Sequence, residues 1–471
     1  MLWAVDDMIA AIGARPIGNM PEGVDGISID TRTLQPGDAF FAIKGDRFDG
    51  HDFMTFAMKA GATLAVVSED KLVALGSVHI PLLVVRDVME AMRMLARAAR
   101  KRSLANIVAI TGSVGKTTTK EMMRTVLGAS GLVHASTASF NNHWGVPLSL
   151  ARMPINAEFA VFEIGMNHPD EIRPLVKLVS PHIAMVTNIA PAHLGNFKSL
   201  AAIARAKAEI FEGVTKKGDA IINRDSRYFG QLSKAATAAG VKKIYSFGKR
   251  SKSDFRLLSL KTNRYGSNVH ASIGGTDVHF ELKAPGEHLV YNALAVLGAA
   301  KLAGAELDKG IEALANVMPG EGRGKQHKIE FRDGEITVID ESYNANPVSV
   351  KAALGVLASV KPKGKGRRVA ILGDMLELGR NSAKLHRELA ETIMECKTDV
   401  VLLAGPEIEP LADELVRPFF GGHYENAEEL LKALKRKLLP GDVILVKASN
   451  GMKFATIVDG LRELQPAAAV Q

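Results

Sequence analysis

Residues 107–119 read Ile-Val-Ala-Ile-Thr-Gly-Ser-Val-Gly-Lys-Thr-Thr-Thr, and the fold follows from how this stretch is parsed. The apolar, β-branched run at 106–110 has the composition of a buried strand, and a helical pattern opens at Lys116 and Thr117 and continues to Gly128. Between them stands Gly112-Ser113-Val114-Gly115. Glycines let backbone N–H groups turn inward around a phosphate, and the helix N-terminus adds unpaired donors and a positive end. In that setting Lys116 reaches the β- and γ-phosphates and the Thr117 hydroxyl sits on Mg²⁺. The common form of this loop has a further glycine five residues before the second one. Here that position is Ile110, so the loop is the short variant GxxGKT. Strand, glycine loop, GKTTT and helix in this order predict a phosphate site.

At 471 residues the chain exceeds one comfortable core and suggests about three domains. With 47% hydrophobic residues and 43 glycines it has the composition of a folded α/β protein rather than a disordered one. The one cysteine, Cys396, excludes an internal disulfide and a thiolate zinc site, so a reducing cytoplasm is expected. It lies in a helical pattern at 382–396 and is expected to be buried. No run approaches the ~18 apolar residues of a membrane span. Asp6 and Asp7 stand where a signal peptide would be cationic, so the N-terminus reads as an ordinary first helix. The net charge of +8 suits an anionic small substrate or reflects a basic proteome. The cluster KPKGKGRR at 361–368 lies between a helix and a strand with no interleaved aromatics, and reads as a solvated loop rather than a nucleic-acid surface.

Three units are expected, at 1–103, 104–322 and 323–471. The first mixes short strands (39–43, 64–67, 82–85) with helical patterns including 91–102, and has no phosphate loop. The second alternates strand and helix, with strands at 107–110, 159–164, 183–188 and 220–223, which implies βαβ crossovers and a parallel sheet. Its segments 268–273 and 278–282 suggest an antiparallel flank. The third resumes the alternation, with strands at 337–340, 368–372, 400–404 and 443–447, as a doubly wound, Rossmann-like sheet without its own phosphate loop. A short low-complexity tail covers 467–471.

In open parallel sheets ligands sit at the carboxyl ends of strands. Glu163 ends one of the central strands, and a carboxylate in an apolar strand is costly unless a cation pairs with it. The cation is either Mg²⁺ or a Lys or Arg. His193 lies just past the next strand, where a second ligand would fall, although a loop histidine alone is mostly an exposed one. Lys207, in the helical segment 199–213, reads from spacing alone as a surface lysine. Asn292 lies on an apolar helix that follows a Pro-Gly turn, as either a packing amide or a base-recognition group. Gly322-Arg323-Gly324 would be a flexible hinge, but unaided it is only a loop arginine. Asp340 ends a strand and leads into the polar loop Glu341–Pro347.

Taken together, these segments resemble the Mur ligases, the ATP-dependent amide-bond ligases of peptidoglycan precursor synthesis, over nearly the whole chain. The matching motifs are SIDTRTLQPGDAFFAIKG with FDGHDF (28–53), TGSVGKTTTKE (111–121), SFNNHWGVPLSL (139–150), FEIGMNHPDEI (162–172) and NIAPAHLGNF (188–197). They continue with AKAEIFEG (206–213), APGEHLVYNALA (284–295), DESYNANPVS (340–349), LGDMLELG (372–379) and VKASNGMKF (446–454). The short loop with Ile110 is also a family trait. The resemblance implies that Gly112, Ser113, Val114, Gly115, Lys116, Thr117 and Thr118 bind ATP phosphates. Thr117, Glu163 and His193 would hold two Mg²⁺, aided by Lys207 as a carbamate. Asn292 and Tyr343 would meet adenine, with Arg323 and Asp340 reaching phosphate and ribose across the domain gap. Ser28, Asp30, Thr31 and Arg32, where the family usually has Asp-Ser-Arg, would bind uridine diphosphate. Asn141 and Asn142 would meet the nucleotide-sugar end of the substrate. Asn344, Asn346 and the 373–379 loop would face an incoming dipeptide.

Within the family, YNANP and LGDMLELG point to the branch that joins D-Ala-D-Ala to UDP-MurNAc-tripeptide through an acyl phosphate. Lys116, Glu163, His193 and Lys207 would be the catalytic set, working in a cytoplasmic monomer with neither nucleic acid nor a membrane span. The diaminopimelate-adding branch carries Asp-Asn-Pro-Arg, which does not occur here. Folylpolyglutamate synthases share the loop but lack this kind of N-terminal module. A P-loop motor would turn over ATP without forming an amide.

Overall fold

The computed structural model describes residues 1–464 apart from 77, 137–139, 264–265 and 416–418. The tail at 467–471 and Ser139 of the asparagine motif lie outside the described residues. Three large sheets organise the chain, as the α/β reading anticipated, besides a two-stranded antiparallel ladder of Trp3–Ala4 with Gly23–Val24.

The first sheet has five strands in the order Arg15–Ile17, Leu82–Val85, Leu64–Ser68, Asp38–Phe41, Gly26–Ser28. All its pairings are parallel except that of Arg15–Ile17. Helix Val88–Arg102 leads out of it. Asp87 caps that helix through Glu90 N–H, and Val88, Ala91, Met92, Leu95, Ala96 and Ala99 form its buried stripe.

The central sheet has nine strands. Asn106–Thr111 lies in its middle, flanked by Phe159–Glu163 on one side and Ile183–Val186 on the other, both parallel to it. Val133–Ala135 and Phe159–Glu163 follow it on one side and every later strand lies on the other. The chain therefore changes direction at this strand, which opens a crevice at its carboxyl end. Ile107 to Ile110 are fully buried between two apolar layers, one on each face. Phe255–Asn263, Gly266–Ile273 and Thr276–Leu282 form the antiparallel flank. Only the last two were legible beforehand, because Phe255–Asn263 loses its apolar alternation halfway and is held by hairpin pairing instead. Helix Glu287–Leu302 packs across this flank so closely that a Cβ on Gly298 would lie 2.2 Å from the Phe255 ring.

The third sheet runs Lys325–Phe331, Gly334–Glu341, Val443–Lys447, Arg368–Gly373, Val400–Ala404, Phe420–Tyr424, with apolar clusters on both faces. The single helix expected at 382–396 is two, Ser382–Arg387 and Leu389–Glu395. Cys396 caps the second one and is half-buried rather than buried. The 361–368 cluster is a loop, but Arg367 is not simply solvated: its Nη2 donates to the buried carboxylate of Asp442 at 2.9 Å. Among the described residues no helix is long and apolar enough to cross a membrane.

The Gly298 contact is testable. Gly298→Val would overpack the helix against Phe255 and should lower stability by about 1–3 kcal/mol. Urea denaturation reads this directly; an unchanged midpoint would mean that the helix stands off the flank.

Candidate active site

The loop after Asn106–Thr111 is built by backbone geometry that side chains oppose. Gly112 has φ +157° and Gly115 has φ +85°; a Cβ on the first would strike Thr187 Oγ1 at 1.9 Å, and one on the second would meet the Asn292 amide at 3.0 Å. Helix Lys116–Gly128 begins directly behind Gly115, so its free N–H groups point into the crevice. The neighbouring strand end pins the loop: Thr187 Oγ1 donates to Val114 C=O at 2.7 Å, and Ser113 N–H donates to Asn188 C=O at 2.8 Å. Ser113 Oγ is buried and has no hydrogen-bond partner among the described residues. A nucleotide phosphate suits that orphaned hydroxyl and a cradle that any Cβ would fill.

Glu163 is 2% exposed at the end of its strand. Among the described residues neither a lysine nor an arginine ion-pairs with it. Thr117 Oγ1 donates to one of its oxygens at 2.7 Å and Asn141 Nδ2 to the other, also at 2.7 Å. Lys116 Nζ donates to Gly112 C=O at 3.0 Å and is half-buried. Burial holds the Lys116 ammonium below its ordinary pKa, opposed by the Glu163 charge and reinforced by Arg323. Two donors and a nearby cation make the buried carboxylate tolerable, and its hard oxygens fit Mg²⁺.

Lys207 corrects the reading from spacing. It is not on the surface but 1% exposed, at the end of helix Leu200–Ala208, which finishes in the tight turn Glu209–Gly213. Among the described residues nothing hydrogen-bonds or ion-pairs with its nitrogen. Burial first, and then the Lys116 charge, push its pKa well below the normal lysine range, with Glu163 pulling the other way. The helix turns this residue inward because Ile203, Ala204, Ala206 and Ala208 are buried around it.

Lys116, Thr117, Glu163 and His193 line one cavity of about 780 Å³, together with Asn141, Asn292, Arg323, Tyr343, Asn344 and Asn346. The cavity lies between the second and third sheets. His193 has φ +57°, and its Nδ1 is bonded to the Glu377 carboxylate of the third unit. Arg323 is stacked on Tyr343, 3.9 Å from the ring centroid, so the two act as a pair and not separately. Asn292 is buried against the loop, which makes it a wall of the nucleotide cavity as well as a packing amide.

Several other candidate residues have local partners in the structure. Asp340 does not line the cavity: its buried carboxylate accepts from Gly322 N–H at 2.7 Å and from Ser342 Oγ at 2.6 Å, so it clamps the hinge behind Arg323. Asn346 uses its side-chain oxygen to cap helix Pro347–Ser359 through Ser349 N–H. The 373–379 loop docks on the central unit, Gly195 N–H donating to Glu377 C=O at 2.8 Å. The turn at 28–32 borders neither of the two large cavities. There Ser28 is buried and bonded to Asp30 C=O, and Asp30 holds the Arg32 guanidinium; that bond lowers the Asp30 pKa. Short polar side chains at a strand end satisfy the local backbone first. Thr31, within this turn, is likewise away from both cavities. Asn142 accepts from Gly145 N–H at 2.9 Å at the start of helix Gly145–Ala151 and borders the larger cavity.

Lys447 was missed. It is 2% exposed at the carboxyl end of its strand, donates to Glu341 and to Asn344 C=O at 3.0 Å each, and lines the nucleotide cavity. The signal was available in a lysine closing an otherwise apolar strand.

A glycine loop at a strand-order switch, a buried carboxylate beside it and a roof from a second α/β unit define a class of ATP-using enzymes. Family models agree in all three units: the Mur ligase family catalytic domain over residues 23–100, the Mur ligase middle domain over 110–300, and the Mur ligase glutamate ligase domain over 327–450. The chain belongs to the Mur ligase family. Its relatives include the UDP-N-acetylmuramoyl-tripeptide–D-alanyl-D-alanine ligase of Rickettsia prowazekii, 35% identical over 98% of this chain and 99% of that one. Among solved structures, MurF from Acinetobacter baumannii is 29% identical with a TM-score of 0.84, covering 98% of this chain and 99% of its own. The MurF ligase from Thermotoga maritima in complex with ADP is 25% identical with a TM-score of 0.76, covering 93% and 97%.

Asn141→Ala would leave one oxygen of buried Glu163 without a donor. Stability should fall by about 1–3 kcal/mol. Equal denaturation midpoints for the variant and the parent would show that water replaces the amide without cost.

Proposed function

We propose that this chain is the ATP-dependent ligase that joins D-alanyl-D-alanine to UDP-N-acetylmuramoyl-tripeptide, giving the pentapeptide precursor of peptidoglycan, ADP and phosphate. The observation that carries the reading is the convergence of Lys116, Thr117, Glu163 and His193 on one cavity roofed by the third unit. The end-to-end likeness to ligases of that name supports it.

The terminal carboxylate of the tripeptide attacks the γ-phosphorus, the bond to the β-phosphate oxygen breaks, and ADP leaves. The amine of D-Ala-D-Ala then attacks the acyl phosphate carbon; the C–O bond breaks, phosphate departs and the nitrogen sheds a proton. Phosphoryl transfer needs positioning and charge neutralisation more than covalent help. Lys116 and the helix N-terminus supply both at the β- and γ-phosphates. Arg323, flanked by glycines in the hinge Gly322-Arg323-Gly324, adds a second cation from the third unit. Thr117, Glu163, His193 and Lys207 are the residues that would hold two Mg²⁺, which neutralise the charge of the transferring group. Lys207 suits carbamylation: burial favours the neutral form of its amine, and a neutral amine adds CO₂ through a new N–C bond and releases a proton, which would turn the nitrogen into the anchor of an anionic oxygen ligand. Asn292 and Tyr343 are assigned to adenine, Asn141 and Asn142 to the sugar-linked substrate, and Asn344 to the dipeptide side. The boundaries of the working units are placed near residues 103 and 322, in a monomer acting in the cytoplasm. Closure of the third unit over the cavity keeps water from the acyl phosphate.

Phosphate release should require ATP, UDP-MurNAc-tripeptide and D-Ala-D-Ala together. ATP hydrolysis indifferent to both substrates would overturn the ligase reading in favour of a P-loop motor. Lys116→Ala should lower ligation at least about a hundredfold, with little change in melting temperature. Lys207→Ala should be inactive and partly rescued by a short carboxylic acid; full activity without rescue would remove Lys207 from the ligand set.

A further inference from the structure

The larger cavity is not the nucleotide site. About 1140 Å³ of space runs between helix Val88–Arg102 of the first unit and helix Ile172–Val179 of the second. It joins the nucleotide cavity at a common wall made by Asn141, Gly165, Met166 and Asn167. Its most regular feature is charge. Arg93, Arg97, Arg100 and Lys101 line it at spacings of four, seven and eight residues along one helix, which places them on one face, and Lys177 lines it from the opposite helix. Among the described residues no carboxylate pairs with Lys101 or Lys177. The acids on the wall are already engaged: Asp170 with Arg173, and Glu171 with His168 at 3.1 Å. Glu90, which is off the wall, offsets Arg93 and Arg97 only in part. The groove therefore carries a positive excess that nearby carboxylates offset only in part.

We infer that this groove is the berth of the stem peptide and selects a third residue that bears a side-chain carboxylate over one that ends in an ammonium. The inference rests on the ligase reading above. The reacting carboxylate has to lie beside Lys116 and Glu163, and the wall shared by the two cavities gives the rest of the peptide a continuous path from that point into the groove. Free carboxylates along the peptide meet Arg97, Lys101 and Lys177. A lysine side chain in the same path brings an ammonium among cations, whereas diaminopimelate brings a carboxylate with its amine. Like charges disfavour the first, and the groove has no free acid to receive it.

The test compares kcat/KM for tripeptides ending in 2,6-diaminopimelate and in lysine, with ATP and D-Ala-D-Ala, on the full chain at low salt. The diaminopimelate substrate should be favoured by about tenfold, the sum of several exposed charge contacts. In the R97Q/K177Q variant, whose two positions are both exposed and so leave the fold intact, the preference should shrink to about threefold or less. The loss should lie in KM with kcat retained, and high salt should mimic it. Equal use of both tripeptides by the parent enzyme, or an unchanged ratio in the variant, would overturn the groove's role and leave the ligase reading standing. Turnover of neither tripeptide would overturn the ligase reading itself, and the groove assignment with it.

Discussion

Glu163 is a carboxylate almost wholly withdrawn from solvent, and the centre of the molecule is arranged around that fact. A buried charge is tolerated only with donors or a cation in place, and the two donors come from different directions. Thr117 sits at the start of the phosphate-loop helix, and Asn141 precedes the short helix Gly145–Ala151. The loop cannot shift without uncovering one oxygen, and the asparagine segment cannot shift without uncovering the other. The same carboxylate acts on half-buried Lys116 and on buried Lys207. One acidic side chain thus couples the glycine loop, two lysines and the asparagine segment.

The second constraint is topological. A strand with parallel neighbours on both sides, whose connections leave in opposite directions, creates a crevice that needs no special residues to exist. What it lacks is a roof. The third unit supplies one through the hinge at Gly322-Arg323-Gly324, held by Asp340, and through the bonds from Glu377 to His193 and Gly195. Tyr343 and Lys447 then face the phosphate loop across the cavity. Catalysis by positioning suits this construction, because each unit brings rigid elements and the hinge brings them together.

Much of this was legible in the chain itself. The phosphate loop, the strand ends carrying Glu163 and Val443–Lys447, the antiparallel hairpin and the three-part α/β plan are recorded in local patterns. Apolar runs, glycine positions and a helix start are encoded within a few residues of one another. Sequence-local reading did not show the local hydrogen bonds that several candidate side chains make. Asp340 and Asn346 satisfy nearby backbone groups, and Ser28 bonds within its own turn. It also faltered at Phe255–Asn263, whose apolar alternation stops before its pairing does.

The sequence by itself determined where a triphosphate would be cradled, because glycines, lysine and threonine at that spacing after a buried strand leave the backbone little else to do. The ligase family, too, was written in ordered motifs. Tertiary structure alone decided that Lys207 is buried and unpaired, that His193 is held by a residue 184 positions away, and that a cationic groove opens beside the active cavity. Burial and charge excess belong to surfaces brought together from distant segments. No spacing along one helix can report what the opposite wall carries.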